Sequence, residues 1–226
     1  MDILYLLFLA TFVITLLVQF NVSSTFSKYS HVRAGTGRTG ADVARRILDA
    51  HGLFDVRIEH VHGHLTDHYD PSSGVLRLSD GVYGGSSASA VGVAAHEVGH
   101  AIQHAENYTP IIVRGKLVPV VNFASRFSWI AIMFGILLSE YMLAFGIILF
   151  AATTLFHLVT LPCELNASSR AMTELELCGW YSRGELSASK KVLRAAAMTY
   201  VAALAVSFAQ LLRFFLMVAM NTRRRD

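Results

Sequence analysis

The residues with the clearest chemistry are His96-Glu97-Val98-Gly99-His100. On a helix, positions four apart sit one turn apart on the same face, so the imidazoles of His96 and His100 can converge on one ion while Glu97 reaches a water held by that ion. Zinc suits such a donor set. A catalytic zinc takes three protein ligands and keeps a further position for water or substrate, so a third donor must come from elsewhere in the chain. Glu164 is the candidate. It follows Leu161-Pro162-Cys163, where the proline suits the first turn of a helix, and Ala167, Ser168 and Ala171 continue its face as a stripe of small residues. A neighbouring helix carrying His96 and His100 can approach such a stripe closely. The expected centre is one Zn2+ on His96, His100 and Glu164, with Glu97 as the catalytic base for metal-assisted hydrolysis of an amide. The blander accounts are two unrelated histidines one turn apart, and an acid placed in a first helical turn by the macrodipole.

Other polar residues are less specific. His68 and Tyr69 before a strand, and Arg170 beyond Glu164, are candidates for supporting the site or stabilising a tetrahedral oxyanion, against turn polarity and solvated charge. His104 extends the face of His96 and His100 by another turn and is read as a supporting or surface residue. His60, His62 and His64 alternate along an extended stretch; an exposed strand face accounts for them, with an accessory metal site as the alternative. His157, within an apolar segment, is placed to hydrogen-bond a neighbouring helix. Cys163 and Cys178 are expected to be free thiols, being too far apart along one straight helix to pair.

These groups need a scaffold. Ser86-Ser87 precedes the small-residue run Ala88–Ala95, which predicts a capped helix carrying the histidines. Thr39-Gly40-Ala41-Asp42, with Val43, Ala44, Ile47 and Leu48 on one face, predicts a helix over 41–50 ended by Gly52. Val56–Glu59 and Val75–Leu78 alternate apolar and polar residues as half-buried strands do, and Asp70-Pro71-Ser72-Ser73-Gly74 is a turn that returns Leu65–Tyr69 against the second of them. The strand Val75, Leu76, Arg77, Leu78 and Ser79, just before the histidine helix, is expected to offer an edge to an extended peptide substrate.

Around this polar region the chain is apolar: 54% of its 226 residues are hydrophobic and 15% charged, against about 45–50% and about 25% in soluble domains. That composition excludes a disordered chain, and two cysteines exclude a disulfide scaffold. A net charge of +3 with scattered basic residues gives no support for nucleic acid; lipid headgroups are the expected counterpart. Apolar runs at 3–20, 117–138, 142–161 and 196–220 approach the length that crosses about 30 Å of hydrocarbon. Asp2 before the first run argues for a retained helix over a cleaved leader. Arg126 either faces the protein interior or marks a helix that begins outside the bilayer, while Arg213 lies near enough to a helix end to snorkel.

The fold expected is a mainly α membrane protein with about four transmembrane helices and a small α+β domain built around the His-Glu-x-x-His helix. Its parts are transmembrane helix 1 over 1–20, a catalytic domain over 21–116, a transmembrane hairpin over 117–161, a helical segment with the third ligand over 162–194, and transmembrane helix 4 with a basic tail over 195–226. Two spans separate His100 from Glu164, which returns the chain to the side it left. Lys28, Arg33, Lys116, Arg170, Lys190, Lys191 and Arg194 on that side favour a cytoplasmic catalytic domain, although Arg223, Arg224 and Arg225 would then face outward.

Leu65-Thr66-Asp67-His68-Tyr69-Asp70-Pro71, Val75–Ser79, Val91–Ala105 and Leu161–Ser168 together resemble the bacterial YugP-type membrane zinc metallopeptidases, over essentially the whole chain. The resemblance implies a multi-pass membrane peptidase whose two histidines and distal glutamate bind zinc as in the gluzincins, acting on a peptide or protein substrate. Ser168 stands where most membrane peptidases of that kind carry an acid. Two other readings remain: a non-catalytic zinc-binding scaffold or transporter, and an intramembrane site-2-type protease. Polar Gln103, His104, Glu106 and Asn107 directly behind the motif argue against the latter.

Overall fold

The computed structural model describes residues 3–35 and 37–222, with side chains to 220. Asp2 and Arg223, Arg224 and Arg225, on which the readings of a retained first helix and a basic tail drew, lie outside the described residues. The elements are α1 (Ile3–Ser30), α2 (Gly40–Ala50), β1 (Arg57–Val61), β2 (His68–Asp70), β3 (Val75–Ser79), α3 (Asp80–Tyr83), α4 (Ala88–Ala105), α5 (Thr109–Leu138), α6 (Glu140–Leu177) and α7 (Arg183–Thr222). The protein is mainly helical with one small sheet. By length and composition α1, α5, α6 and α7 are each long and apolar enough to cross a membrane. The chain divides into two compact units, one of Met1–Gln19, Ile112–Pro162 and Thr199–Asp226, the other of Phe20–Ile111 and Cys163–Met198.

The first unit is packed around Ile132, Leu143, Ile147, Phe150 and Phe214. Trp129 meets the rings of Phe150 and Phe214 edge-on at 5.9 and 5.8 Å, the geometry that aromatic quadrupoles favour. Gly135 lets α5 and α6 touch, since a Cβ there would collide with the Leu143 backbone. The helix expected over 117–138 begins earlier, at Thr109. Arg126 on it is exposed, which removes the reading that turns it into the protein interior. Arg213 lies over the Phe8 ring at 5.4 Å.

The second unit holds the sheet and α4. Thr39 caps α2 through a reciprocal capping box with Asp42, satisfying backbone donors that a helix start leaves open. Val43, Ala44, Ile47 and Leu48 of α2 are buried against Leu76, Leu78, Val91, Ala94, Ala95 and Val98, each large aliphatic contributing about 1.5–3 kcal/mol on burial. The sheet order is β1-β3-β2, with β1 parallel and β2 antiparallel to β3.

This order corrects the expectation for Val75, Leu76, Arg77, Leu78 and Ser79. β3 is the central strand, hydrogen-bonded on both sides, and Ser79 at its end donates from N–H and hydroxyl to the Asp67 carboxylate at 2.7 and 2.8 Å. It has no edge to offer a peptide. The free edges belong to β1 and β2. A second correction concerns 162–194: Pro162 lies inside α6, and the polar stretch is shared between the end of α6 and the start of α7, with a break at Gly179 (φ +67°). A proline inside a helix costs roughly 3 kcal/mol, which is offset here by Cys163, Ala167, Ala171 and Leu175. These repeat every four residues along α6 and are all fully buried.

Candidate metal centre

α4 begins at Ser87, whose hydroxyl accepts from the Ala90 N–H at 3.2 Å. In its C-terminal half it presents His96 and His100, with ring centroids 4.8 Å apart. The segment of α6 after Pro162 lies directly against it. A Cβ on Gly99 would come within 2.7 Å of the Ala167 carbonyl oxygen, so only glycine permits this approach. The close packing carries Glu164, 1% exposed, to the histidines. Its Oε2 lies 3.2 Å from His96 Nε2 and 3.5 Å from His100 Nε2, and one donor atom from each of the three residues falls within 4.8 Å of the others.

The rings are held from behind. Gln103, fully buried, donates its amide to the Cys163 carbonyl and to Asn166 Oδ1, both at 2.8 Å. Its Oε1 is therefore the end that accepts from His100 Nδ1 at 3.0 Å. Ser168 Oγ lies 3.1 Å from His96 Nδ1. With each Nδ1 engaged on the protein, each Nε2 is left to face Glu164. Ser168, four residues beyond Glu164, thus meets the His96 ring through its hydroxyl. Burial opposes charge on His100, but hydrogen bonds to Cys163 and Glu164 and the negative charges of Glu97 and Glu164 outweigh it and raise its pKa to about 10. The pocket favours positive charge.

Glu97 points to another element. Its Oε2 accepts from the Tyr69 N–H at 3.1 Å, so the edge strand β2 holds the carboxylate. The Tyr69 ring packs on His104 with centroids 6.2 Å apart, and burial pushes its phenol pKa up. His104 is therefore a packing partner of β2 and not a member of the donor cluster. His68 is exposed, with Nδ1 at the Thr66 carbonyl (2.8 Å) and Nε2 near Arg77 (3.5 Å). Arg170 is committed elsewhere: its Nε donates to Asn166 Oδ1 at 2.8 Å and its Nη2 pairs with Glu106 at 2.7 Å. Neither side chain belongs to the donor cluster of His96, His100 and Glu164. Arg170 touches the site only through Asn166 and Gln103.

Gln103 was read from the sequence only as a polar mark of an aqueous helix, whereas it is fully buried, and Asn166 was not singled out as a supporting residue. Their signal was spacing, three residues beyond His100 and two beyond Glu164, but exposed polar residues at a helix end carry the same spacing. Cys163 and Cys178 are both free thiols.

A half-buried and a buried imidazole with a buried carboxylate on two packed helices, in a chain with four membrane-length apolar helices, define a class. Residues 4–219 match the family described as "Putative neutral zinc metallopeptidase", and the chain belongs to that family. It is 53% identical over 206 residues, covering 91% of each chain, to a protein of Bacillus subtilis (strain 168) named "Putative membrane protease YugP". No solved structure matches the chain. Membership makes this a protein of a zinc peptidase family, and the apolar helices fit a multi-pass membrane protein.

Proposed function

We propose that the protein is an integral-membrane zinc metallopeptidase, with His96, His100 and Glu164 as the ligands of one catalytic Zn2+ and Glu97 as the general base. The observation that carries this reading is the convergence of His96 Nε2, His100 Nε2 and Glu164 Oε2 beside a carboxylate that is held by β2. The donor set fits the ion: two imidazoles with Nδ1 engaged on protein oxygens, and a buried carboxylate. Bound there, zinc lowers the pKa of water from 15.7 toward about 7 and polarises a scissile carbonyl.

Glu97 takes the proton of the attacking water and passes it to the leaving amine. The Tyr69 N–H fixes the carboxylate oxygen that does not receive the proton. Gln103 and Ser168 hold the two rings so that the ligand atoms do not wander. Peptide or protein chains are the substrates, and membrane-associated ones lie nearest. The catalytic domain is residues 21–116 with Glu164 supplied from 162–194, between membrane segments at 1–20, 117–161 and 195–226. The basic residues flanking it favour the cytoplasmic face. Protease access to residues 21–116 in intact cells would reverse that orientation.

The intramembrane alternative is disfavoured by α4, which is not among the described helices long and apolar enough to cross a membrane. The scaffold alternative is disfavoured by Glu97, which a purely binding site does not need. Elemental mass spectrometry of the detergent-purified protein tests the centre. Near-stoichiometric zinc in wild type and its loss in Glu164→Ala are expected; full retention by the variant would move the third ligand elsewhere.

A further inference from the structure

A second cluster lies at one end of the sheet. Because β1 and β3 run parallel, with His60 opposite Leu78 and Val61 opposite Ser79, their C-terminal ends finish side by side. The period of two puts His60 and His62 on the same face of the chain leaving β1. Asp80, the residue after β3, meets both. Its Oδ1 lies 2.7 Å from His60 Nε2 and 3.3 Å from His62 Nδ1. The three donor atoms fall within 4.8 Å of one another, and the imidazole rings are edge-to-face at 5.0 Å.

The cluster is held in place from outside. The Gly63 N–H donates to Asp80 Oδ2 at 2.9 Å, leaving Oδ1 as the oxygen shared by the histidines. Gly63 sits at φ +126°, a conformation that side chains rarely adopt. The Asp67 carboxylate, through its bonds to Ser79, anchors the strand end from which Asp80 projects. The backbone N–H of Gly63 and the ring of His60 hold the Asp80 carboxyl below its ordinary pKa.

We propose that His60, His62 and Asp80 form a second, exposed binding site for a divalent transition-metal ion of the zinc, nickel or copper type. Two imidazoles and one carboxylate are the donors such ions prefer, and magnesium and calcium do not. A tetrahedral ion with bonds of roughly 2.0–2.1 Å needs donors about 3.3 Å apart, which rotations of two exposed imidazoles supply from the observed spacing. Three protein donors leave the remaining positions to water or to a donor from another molecule. His64 takes no part, since its ring packs edge-on to Phe26 at 5.3 Å. The site stands on its own residues and does not depend on the catalytic reading.

The test is metal content after equilibrium dialysis of the full-length, detergent-purified protein against micromolar free zinc. His60→Ala/His62→Ala is expected to hold one equivalent less than wild type, and Glu164→Ala is expected to keep the equivalent that the double variant loses. Asp80→Asn, which retains an oxygen for the Gly63 N–H, is expected to match the double variant with an unchanged circular dichroism spectrum. His31→Ala, an exposed histidine elsewhere, is the control. Equal zinc in wild type and the double variant overturns the site, as does an equal loss in His31→Ala, which would mean adventitious binding by surface imidazoles. If Glu164→Ala alone loses metal, the catalytic reading stands and the second site fails; if only the His60/His62 equivalent is seen, the reverse holds.

Discussion

The two His/His/acid clusters use the same donor chemistry on opposite scaffolds. In the catalytic candidate the side chains of His96, His100 and Glu164 are 13, 10 and 2% exposed, held by two packed helices. In the sheet-end cluster those of His60, His62 and Asp80 are 38, 93 and 54% exposed. Burial changes what the same atoms do. Inside, charge–charge attraction is strong and each polar atom needs a partner, so Gln103 and Ser168 are required to fix the rings. Outside, water competes for every donor. The buried cluster is thus suited to activate a reactant, and the exposed one only to hold an ion.

The sharpest separation comes from Glu97→Gln. It is expected to lower peptidase turnover by about 10²–10⁴-fold while zinc content at both clusters stays unchanged; equal proteolysis by variant and wild type would remove the base from the scheme. Gln103→Leu comes next. It strips the His100 Nδ1 of its acceptor and is expected to weaken zinc at the buried cluster by roughly 10–100-fold, with no effect at His60 and His62. Competition with a chelator reads both sites separately, and Ser168→Ala is expected to act in the same direction.

Gly99→Ala forces α4 from the Ala167 carbonyl and is expected to destabilise the protein by about 1–3 kcal/mol, seen as a lower denaturation midpoint and weaker zinc at the buried site only. The smallest effect is at Asp70, which turns β2 into β3 beside Tyr69. The hydroxyls of Ser72 and Ser73 bind its ionised form and hold its pKa below 3.8. A depressed carboxylate contributes stability fully above its unfolded pKa and loses it as pH falls through the folded one. Protection factors of the β2–β3 amides are therefore expected to fall as pH drops below 3.8, before those of α4 do, and Asp70→Asn should show the lower protection already at neutral pH.

Much of the local structure was legible. The cap at Thr39, the serine start of α4 and the Asp70–Gly74 turn are written in adjacent residues, because capping and turn chemistry act within three or four positions. The apolar runs were legible for the same reason, being set by composition over a short window. Pro162 misled, since local rules place it at a helix start, whereas packing of Cys163, Ala167, Ala171 and Leu175 carries the helix through it. β3 misled as well: alternation marks a strand but not its neighbours, and here two partners closed both edges. Arg170 was left between an oxyanion role and a solvated charge, and only the fold shows it engaged by Asn166 and Glu106.

The sequence by itself determined which atoms are available for chemistry: two imidazoles one turn apart with an acid between them, and a distal glutamate on a small-residue stripe. Helical periodicity is local, so this much follows without knowing the fold. Only the tertiary structure decided that Gln103 and not His104 supports His100, that β2 and not β3 holds the Glu97 carboxylate, and that Asp80 joins His60 and His62. The last two are contacts between segments distant in the chain, and the first depends on Gln103 being turned by its bonds to Cys163 and Asn166, 60 and 63 residues away. Burial, which makes such contacts strong, is a property of the packed whole.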